Sequence, residues 1–312
     1  MSNVKDLNLT DDMFEKLDDN EKNAEFIAMQ SKTFMRDSWN KFKKNKLALF
    51  GLIFVTLMIL FAIFAPIVSK YSYEMQDLQN RNALPTWDHL FGTDKLGRDI
   101  FVRVMYGARI SLAIGFASAA INMVIGIVYG GISGYVGGRV DMIMMRTVDV
   151  IYSVPGLLYV ILILMVFGNN LTSMLIAISI TSWVNMARQV RTQVMSLKET
   201  EFAMAAKVIG ASDIRILMKH LIINAIGPII VTLTMMVPQA IFTESFLSFL
   251  GIGISQPQSS WGVLASEARS LIHTYPIQII WPITAMCLTI LSLNFIGDGL
   301  GEALDPNNGG VN

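Results

Sequence analysis

The chain has 312 residues, of which 53% are hydrophobic and 15% are charged, and its 24 Lys and Arg balance its 24 Asp and Glu. A soluble protein of this length carries more charge and less apolar content, so the composition indicates a membrane protein. A net charge of zero provides no basic field for binding nucleic acid. The single cysteine, Cys287, excludes a disulfide framework and is expected to be a small membrane-buried residue.

The first 46 residues are predicted to form a cytoplasmic tail that ends in an interfacial helix. The tail is polar, and no signal-peptide pattern precedes the first apolar run. Near its end, Phe34, Trp39 and Phe42 lie close to one helical face among lysines. This pattern is typical of a helix lying in the membrane interface, and a plain juxtamembrane linker is the alternative.

Six apolar runs are long enough to cross a bilayer as helices. Lysines crowd the start of the first run, and most other Lys and Arg fall in loops on the same side. The positive-inside rule therefore places both termini in the cytoplasm. Small residues within the runs favour a closely packed helical bundle. The runs are approximately 47–68, 110–133, 142–168, 171–190, 222–249 and 276–297.

These runs predict a chain with five parts. They are a cytoplasmic tail with the interfacial helix (1–46), a first transmembrane helix (47–69), an extracytoplasmic loop (70–108), a core of five transmembrane helices (109–300) and a cytoplasmic C-terminal tail (301–312).

A soluble-looking segment, residues 198–224, separates the fourth and fifth runs on the cytoplasmic side. It predicts a helix, a turn near Gly210 to Ser212, and a second helix with Ser212 or Asp213 as N-cap. Its small residues leave a shallow surface for a partner protein, with Ala206 and Gly210 bordering one docking face; an ordinary connecting loop is the alternative. The candidate contact residues are Ala203, Ala205, Ala206, Gly210, Ala211, Ser212, Asp213, Arg215 and His220.

Three charged residues within or near the spans are functional candidates, because ionisable groups are costly in a membrane. Asp149 lies inside the third run, with Arg146 three residues earlier on the same helical face. We expect these two to form a structural salt bridge. Glu244, near the outer end of the fifth run, is interpreted as a hydrated interface residue, with a pathway role as the alternative.

No catalytic or metal-binding pattern is present in the sequence. The three histidines are far apart, and no H-E-x-x-H motif occurs. The sequence also lacks the G-x-x-x-x-G-K-[ST] motif, so ATP would have to be bound by another subunit. The chain is therefore predicted to be no enzyme and to bind no cofactor itself.

The segment MAAKVIGASDIRILMKHLIIN (204–224) resembles the cytoplasmic coupling motif of binding-protein-dependent ABC importer permeases. That motif reads E-A-A, three residues, Gly, nine residues, I-x-L-P. Ala205, Ala206 and Gly210 match it, while Met204 stands in place of the Glu and Ile223 in place of the Pro.

Other blocks extend the resemblance over nearly the whole chain, from about Trp39 to Pro306. They are similar to signatures of oligopeptide and dipeptide permeases, and the N-terminal extension favours an OppC-type subunit. Gly301 stands where a basic residue is common. The blocks are HLFGTDKLGRDIFVRVMYGARISL (89–112), SFLSFLGIGISQPQSSWG (245–262) and NFIGDGLGEALDP (294–306).

The resemblance implies an all-α membrane protein with six transmembrane helices and the type I ABC importer permease fold, in a bacterial cell membrane. It implies a lipid-embedded pore shared with an OppB-type permease, two cytoplasmic ATPases that bind ATP and Mg²⁺, and an external binding protein that delivers oligopeptides. Dipeptide or nickel-type permeases of the same family are the alternative. A secondary transporter working without ATP is the alternative from another class, and it predicts internal repeats and more buried ionisable groups.

Overall fold

The computed structural model describes residues 34–305. The chain divides into two compact units, residues 1–37 and 38–312, and the account below concerns the second. The predicted solvated tail before Phe34 and the end of the C-terminal tail, residues 306–312, lie outside the described residues.

Within the described residues the fold is helical, and an isolated antiparallel bridge between Thr93 and Asp99 is the one β feature. The helices named below are α1 (Phe34–Lys44), α2 (Lys46–Val68), α3 (Ile100–Val136), α4 (Gly138–Ser153), α5 (Gly156–Phe167), α6 (Leu171–Lys198), α7 (Glu201–Val208), α8 (Ile226–Leu247), α9 (Trp261–Ala268) and α10 (Ile277–Leu304). A π-helical turn, Ser248–Ile252, continues α8.

Among the described residues, α2, α3, α8 with its π-helical turn, and α10 are each long and apolar enough to cross a membrane. Helices α4 and α5 add a fifth candidate if the bent pair is taken as one span. The structure therefore gives four or five candidate spans, and the count of six stays a prediction.

The third apolar run is broken where one continuous helix was expected. The chain bends by 79° between the axis of α4 and the axis of α5. Pro155 has no backbone N–H, and a residue that precedes proline avoids the helical region. Val154 accordingly adopts an extended conformation with φ −93° and ψ 130°, which ends α4.

Close packing of α3 on α6 forms the centre of the bundle. Gly126, Gly130 and Gly134 lie one turn apart on α3, and a methyl group at any of them would collide with α6. At Gly130 the obstacle is the carbonyl oxygen of Ala187. Small residues at four-residue spacing let two backbones approach in lipid, which confirms the predicted role of the small residues.

Helix α1 forms where the sequence predicted it, but Phe42 does not face the membrane interface. Its side chain is 2% exposed and packs against Ala48 and Ala303. Trp39 stacks on Phe42 with ring centroids 5.7 Å apart and remains half exposed. Cys287 lies on the outer surface of α10, one of the candidate spans, so its expected burial in the membrane stays a prediction.

Candidate functional site

The predicted segment, residues 198–224, forms a helix–turn–helix and is here called the hairpin; Lys198 is also the last residue of α6. Helix α7 is its first arm, and residues 213–224, which include a π-helical turn, are the second. Gly210 has φ +83° with no atom near the position of a Cβ, so the left-handed backbone selects glycine there. Ser212 occupies the N-cap position of the second arm, as predicted, without a side-chain hydrogen bond.

Two of the three alanines of α7, Ala203 and Ala206, pack inward, which contradicts the docking face expected at Ala206. Ala203 is 4% exposed and Ala206 is 5% exposed. Both belong to an apolar cluster that includes Val190 and Val194 of α6 and Leu221 of the second arm. Their three-residue spacing places them on the same side of a helix, and that side covers α6. They form the base that fixes the hairpin on the bundle.

The exposed end of the hairpin is built from large apolar side chains. Val208 is 86% exposed, Ile209 is 84% exposed and Ile214 is 76% exposed. These three residues are called the hairpin tip below. Large apolar groups left in contact with water mark a surface that a partner covers. Sequence analysis named the small residues instead, although the same segment contains these larger ones on both sides of the glycine turn.

Polar contacts hold the hairpin to the end of α3. The hydroxyl of Tyr135 donates a hydrogen bond of 2.5 Å to Asp213 Oδ1, and Lys198 Nζ donates to the Tyr135 carbonyl oxygen. Nearby, Asp141 accepts two hydrogen bonds from the guanidinium of Arg191. Of the other predicted contact residues, the exposed ones are Ala205 and Arg215, and the half-buried ones are Ala211 and His220.

The expected pairing of Asp149 with Arg146 is wrong. Asp149 Oδ1 accepts a hydrogen bond of 2.9 Å from Arg188 Nη2 on α6. The same guanidinium lies over the ring of Tyr152, 4.5 Å from its centroid. The side chains are 37% exposed at Arg188 and 53% exposed at Asp149, and Arg146 is exposed on α4. Sequence spacing reveals partners on one helix but not a partner on the neighbouring helix.

The hydrated position expected for Glu244 is also wrong, because its side chain is fully buried. Its carboxylate accepts hydrogen bonds from Ser111 and Ser245 at 3.1 Å and from Ser248 at 2.7 Å. Ser111 in turn accepts from the backbone N–H of Trp261. Glu244 therefore joins α8 to α3 and, through Ser111, to α9. These contacts give Glu244 a structural role in joining helices, and the pathway role stays a prediction.

A cavity of about 530 Å³ lies beside the break between α4 and α5. Its walls come from both broken helices, from the middle of α6 and from α8. The polar side chains among its lining residues carry no formal charge. They include Tyr152, Thr181, Ser182, Asn185, Gln239 and Thr243.

At the opposite end of α3 from the hairpin, three buried charged residues (Asp94, Arg98 and Arg103) and the half-buried Glu267 form what is called the charge network below. Asp94 and Glu267 each accept hydrogen bonds from both Arg98 and Arg103, at 2.6 to 2.8 Å. The second oxygen of Glu267 accepts from Gln256 at 2.7 Å. Burial alone raises the pKa of the Glu267 carboxyl, but the hydrogen bond and charge of Arg103, together with the charge of Arg98, hold that pKa below its ordinary value.

Sequence analysis missed this network, although three of its members lie in the block 89–112. Alternating Asp and Arg in a loop look solvated when Glu267, more than 160 positions away, is not known to join them. Within residues 34–305, no group of three or more His, Cys, Asp or Glu side chains is placed to hold a metal ion.

A family model described as the inner membrane component of binding-protein-dependent transport systems matches residues 122–309. The chain belongs to this family. Residues 33–85 of the permease also match the N-terminal transmembrane domain of oligopeptide transport permease C. Members of the family are transport permeases and not enzymes, and ATPase activity in their transporters belongs to partner subunits.

Relatives of known function cover almost the whole permease. It is 48% identical over 299 residues to the oligopeptide transport system permease protein OppC of Bacillus subtilis (strain 168), with 96% of this chain and 98% of the relative covered. It is 43% identical over 297 residues to the dipeptide transport system permease protein DppC of the same strain, with 95% and 93% covered.

A solved structure of an ABC transporter has a similar fold. A chain from inward-facing conformations of the MetNI methionine ABC transporter superposes with a TM-score of 0.52 at 16% sequence identity. The match covers 66% of the permease and 96% of that chain. The permease therefore has a fold like that of type I ABC importers, in a helical membrane protein with several spans.

Proposed function

We propose that this permease forms half of a pore that imports oligopeptides and that its hairpin tip docks on a cytoplasmic ATPase. The observation that supports this proposal most directly is the difference in burial between the base and the tip of the hairpin. Its base is packed on α6 and tied to α3, whereas Val208, Ile209 and Ile214 project into solvent. A rigid base with an exposed apolar end is suited to transmit movement from a docked subunit to the bundle.

The relatives support the nature of the cargo and of the assembly. The permeases named for oligopeptide and dipeptide transport match across more than nine-tenths of this chain. The proposed complete importer contains an OppB-type permease, two ATPases that bind ATP and Mg²⁺, and an external peptide-binding protein. Dipeptide transport is the second candidate because of the 43% identity to DppC, and uptake of dipeptides and tetrapeptides through the same importer separates the two.

The proposed orientation places the hairpin and both termini in the cytoplasm and gives the chain six spans. The concentration of Lys and Arg before α2 and around the hairpin supports it. Labelling of a cysteine at Ser212 by an impermeant thiol reagent in intact cells would contradict this orientation.

The docking role is tested by placing a charge on the hairpin tip. We expect Ile209→Asp and Ile214→Asp to reduce co-purification of the ATPase subunits and peptide-stimulated ATP hydrolysis, because a carboxylate buried in an apolar contact lacks a partner. Membrane insertion of the permease should be unchanged, since both side chains are exposed in the chain itself.

The matched control is Trp87→Asp, which places the same charge on an apolar residue that is 96% exposed in the loop before α3. This variant should retain its ATPase subunits. Normal ATPase co-purification and coupling in both hairpin variants would show that the hairpin is only a connecting loop. Peptide uptake by an importer that lacks ATPase subunits would favour the secondary-transporter alternative.

A further inference from the structure

We infer that the cavity beside the α4–α5 break is part of the peptide pathway and that the Asp149–Arg188 ion pair keeps this pathway open to peptides of either charge. This inference rests on the proposed function, because it concerns residues that would touch peptide in transit. It assigns the cavity a ligand class, the peptide backbone, and assigns Asp149 and Arg188 control over charge selectivity.

The lining of the cavity suits a peptide backbone. Asn185 on α6 and Gln239 on α8 have exposed side chains, and neither amide group has a hydrogen-bond partner among the described residues. Each amide offers both a donor and an acceptor, as a peptide bond does. Such groups exchange hydrogen bonds with any peptide backbone and do not select a particular side chain.

The break in the helix indicates that this side of the chain does not face lipid. Backbone that is not helical is tolerated at membrane depth only where protein buries it or where it lines an aqueous cavity. Val154, Pro155 and Gly156 are exposed and line the cavity. In the proposed pore this side therefore faces the second permease subunit and the space between the two subunits, and the polar lining of the cavity suits the hydrated environment that a peptide in transit requires.

The ion pair lies at the end of the cavity nearer the hairpin. Arg188 follows Asn185 by three residues on α6, or about 4.5 Å along the helix axis. Its guanidinium covers the ring of Tyr152, a cavity-lining residue, while it bonds Asp149. Arg146 lies one turn farther from the cavity on α4 and is not part of the pair.

The exposure of the pair argues against a mainly structural purpose. Ion pairs this accessible to water contribute little to folding stability. While the pair is intact, each charge cancels most of the effect of the other on a passing charged peptide, whereas loss of one partner exposes the charge of the other. An unpaired unit charge about 6 Å from a charged peptide in water changes its energy enough for about a threefold change in rate. The intact pair removes that bias in both directions.

The experiment uses the complete importer reconstituted in vesicles and compares uptake of trilysine, triglutamate and trialanine. Asp149→Asn leaves Arg188 unpaired, so we expect trilysine uptake to fall about threefold and triglutamate uptake to rise about threefold. The trilysine-to-triglutamate uptake ratio should therefore fall about ninefold. Arg188→Gln leaves Asp149 unpaired and should raise the same ratio. The double variant should restore the ratio found for the original importer.

Two features isolate the effect of the pair. The same binding protein delivers peptide to every variant, so its own preference cancels when each ratio is divided by that of the original importer. Trialanine uptake corrects for differences in protein abundance. Arg139→Gln is the matched control, because Arg139 is exposed on α4 about 15 Å before Asp149, beyond the screening length at physiological salt.

Opposite shifts in the two single variants, with recovery in the double variant, would support the assignment. Equal loss of all three peptides would show that the pair is structural, and an equal shift in Arg139→Gln would show that general surface charge sets the ratio; either result overturns the inference. If the original importer takes up no peptide, the proposed function itself fails, whereas uptake with unchanged ratios refutes only the role of the pair.

Discussion

The charge network and the hairpin tip lie at opposite ends of α3, and their residues have opposite exposures to solvent. The network consists of charged groups, yet Arg98, Arg103 and Glu267 are largely buried and bonded to one another. The hairpin tip is apolar, yet Val208 and Ile209 are more than four-fifths exposed. Each region inverts the usual placement of its residue types.

The difference separates groups that are satisfied within the chain from groups that need a partner. The buried arginines have carboxylates within hydrogen-bond distance, so their charges are paired within the chain without help from another subunit. The hairpin tip has no covering side chains and contributes its apolar surface only when another protein binds. Substitutions in the two regions should therefore affect different measurements.

The largest effect is expected from Arg103→Met. This change removes hydrogen bonds to both Asp94 and Glu267 and leaves two buried carboxylates with one arginine between them. Breaking a buried ion network in this way costs about 3–5 kcal/mol. Thermal unfolding of the purified protein in detergent should show a clearly lower midpoint.

The control for Arg103→Met is Arg269→Gln, which changes an exposed arginine beside the same helix, α9. Its unfolding midpoint should match that of the original protein. A similar loss in both variants would mean that the network is no more important than surface charge.

A smaller effect is expected from pH. The folded-state pKa of Glu267 lies below its ordinary value, so the ionised form stabilises the fold above the unfolded pKa of about 4.3. This contribution is lost as the pH falls below that value and through the folded pKa. Unfolding midpoints measured between pH 7 and pH 3 should reveal this decline, and Glu267→Gln should lack that part of it. An identical pH profile in the variant would contradict the assignment.

The smallest effect on stability is expected at the hairpin tip. Because Ile209 and Ile214 are 84% and 76% exposed, replacing either by Asp should change the free energy of unfolding of the permease by no more than about 0.5 kcal/mol. The same variants should lose ATPase subunits, so stability and assembly separate there. A large drop in the unfolding midpoint would show that the tip packs within the permease itself.

The sequence alone identified the helical membrane class, most of the helices and the family. Apolar runs of about 20 residues predict spans because a helix of that length crosses the hydrocarbon and satisfies its backbone hydrogen bonds within the one segment. The hairpin turn could also be predicted from the sequence, since a glycine between two helical patterns indicates the left-handed conformation found at Gly210. These features depend on residues close to one another in the chain.

Only the tertiary structure decided which side chains meet. Asp149 bonds Arg188, 39 positions away, and Glu244 is buried against Ser111 from another helix. Sequence spacing shows which residues share a helical face, but the packing partner of each face depends on how the helices are arranged. For the same reason Ala206 covers α6 while Ile209, three residues later, projects into solvent, because burial is set by the neighbouring helix and not by the size of the residue.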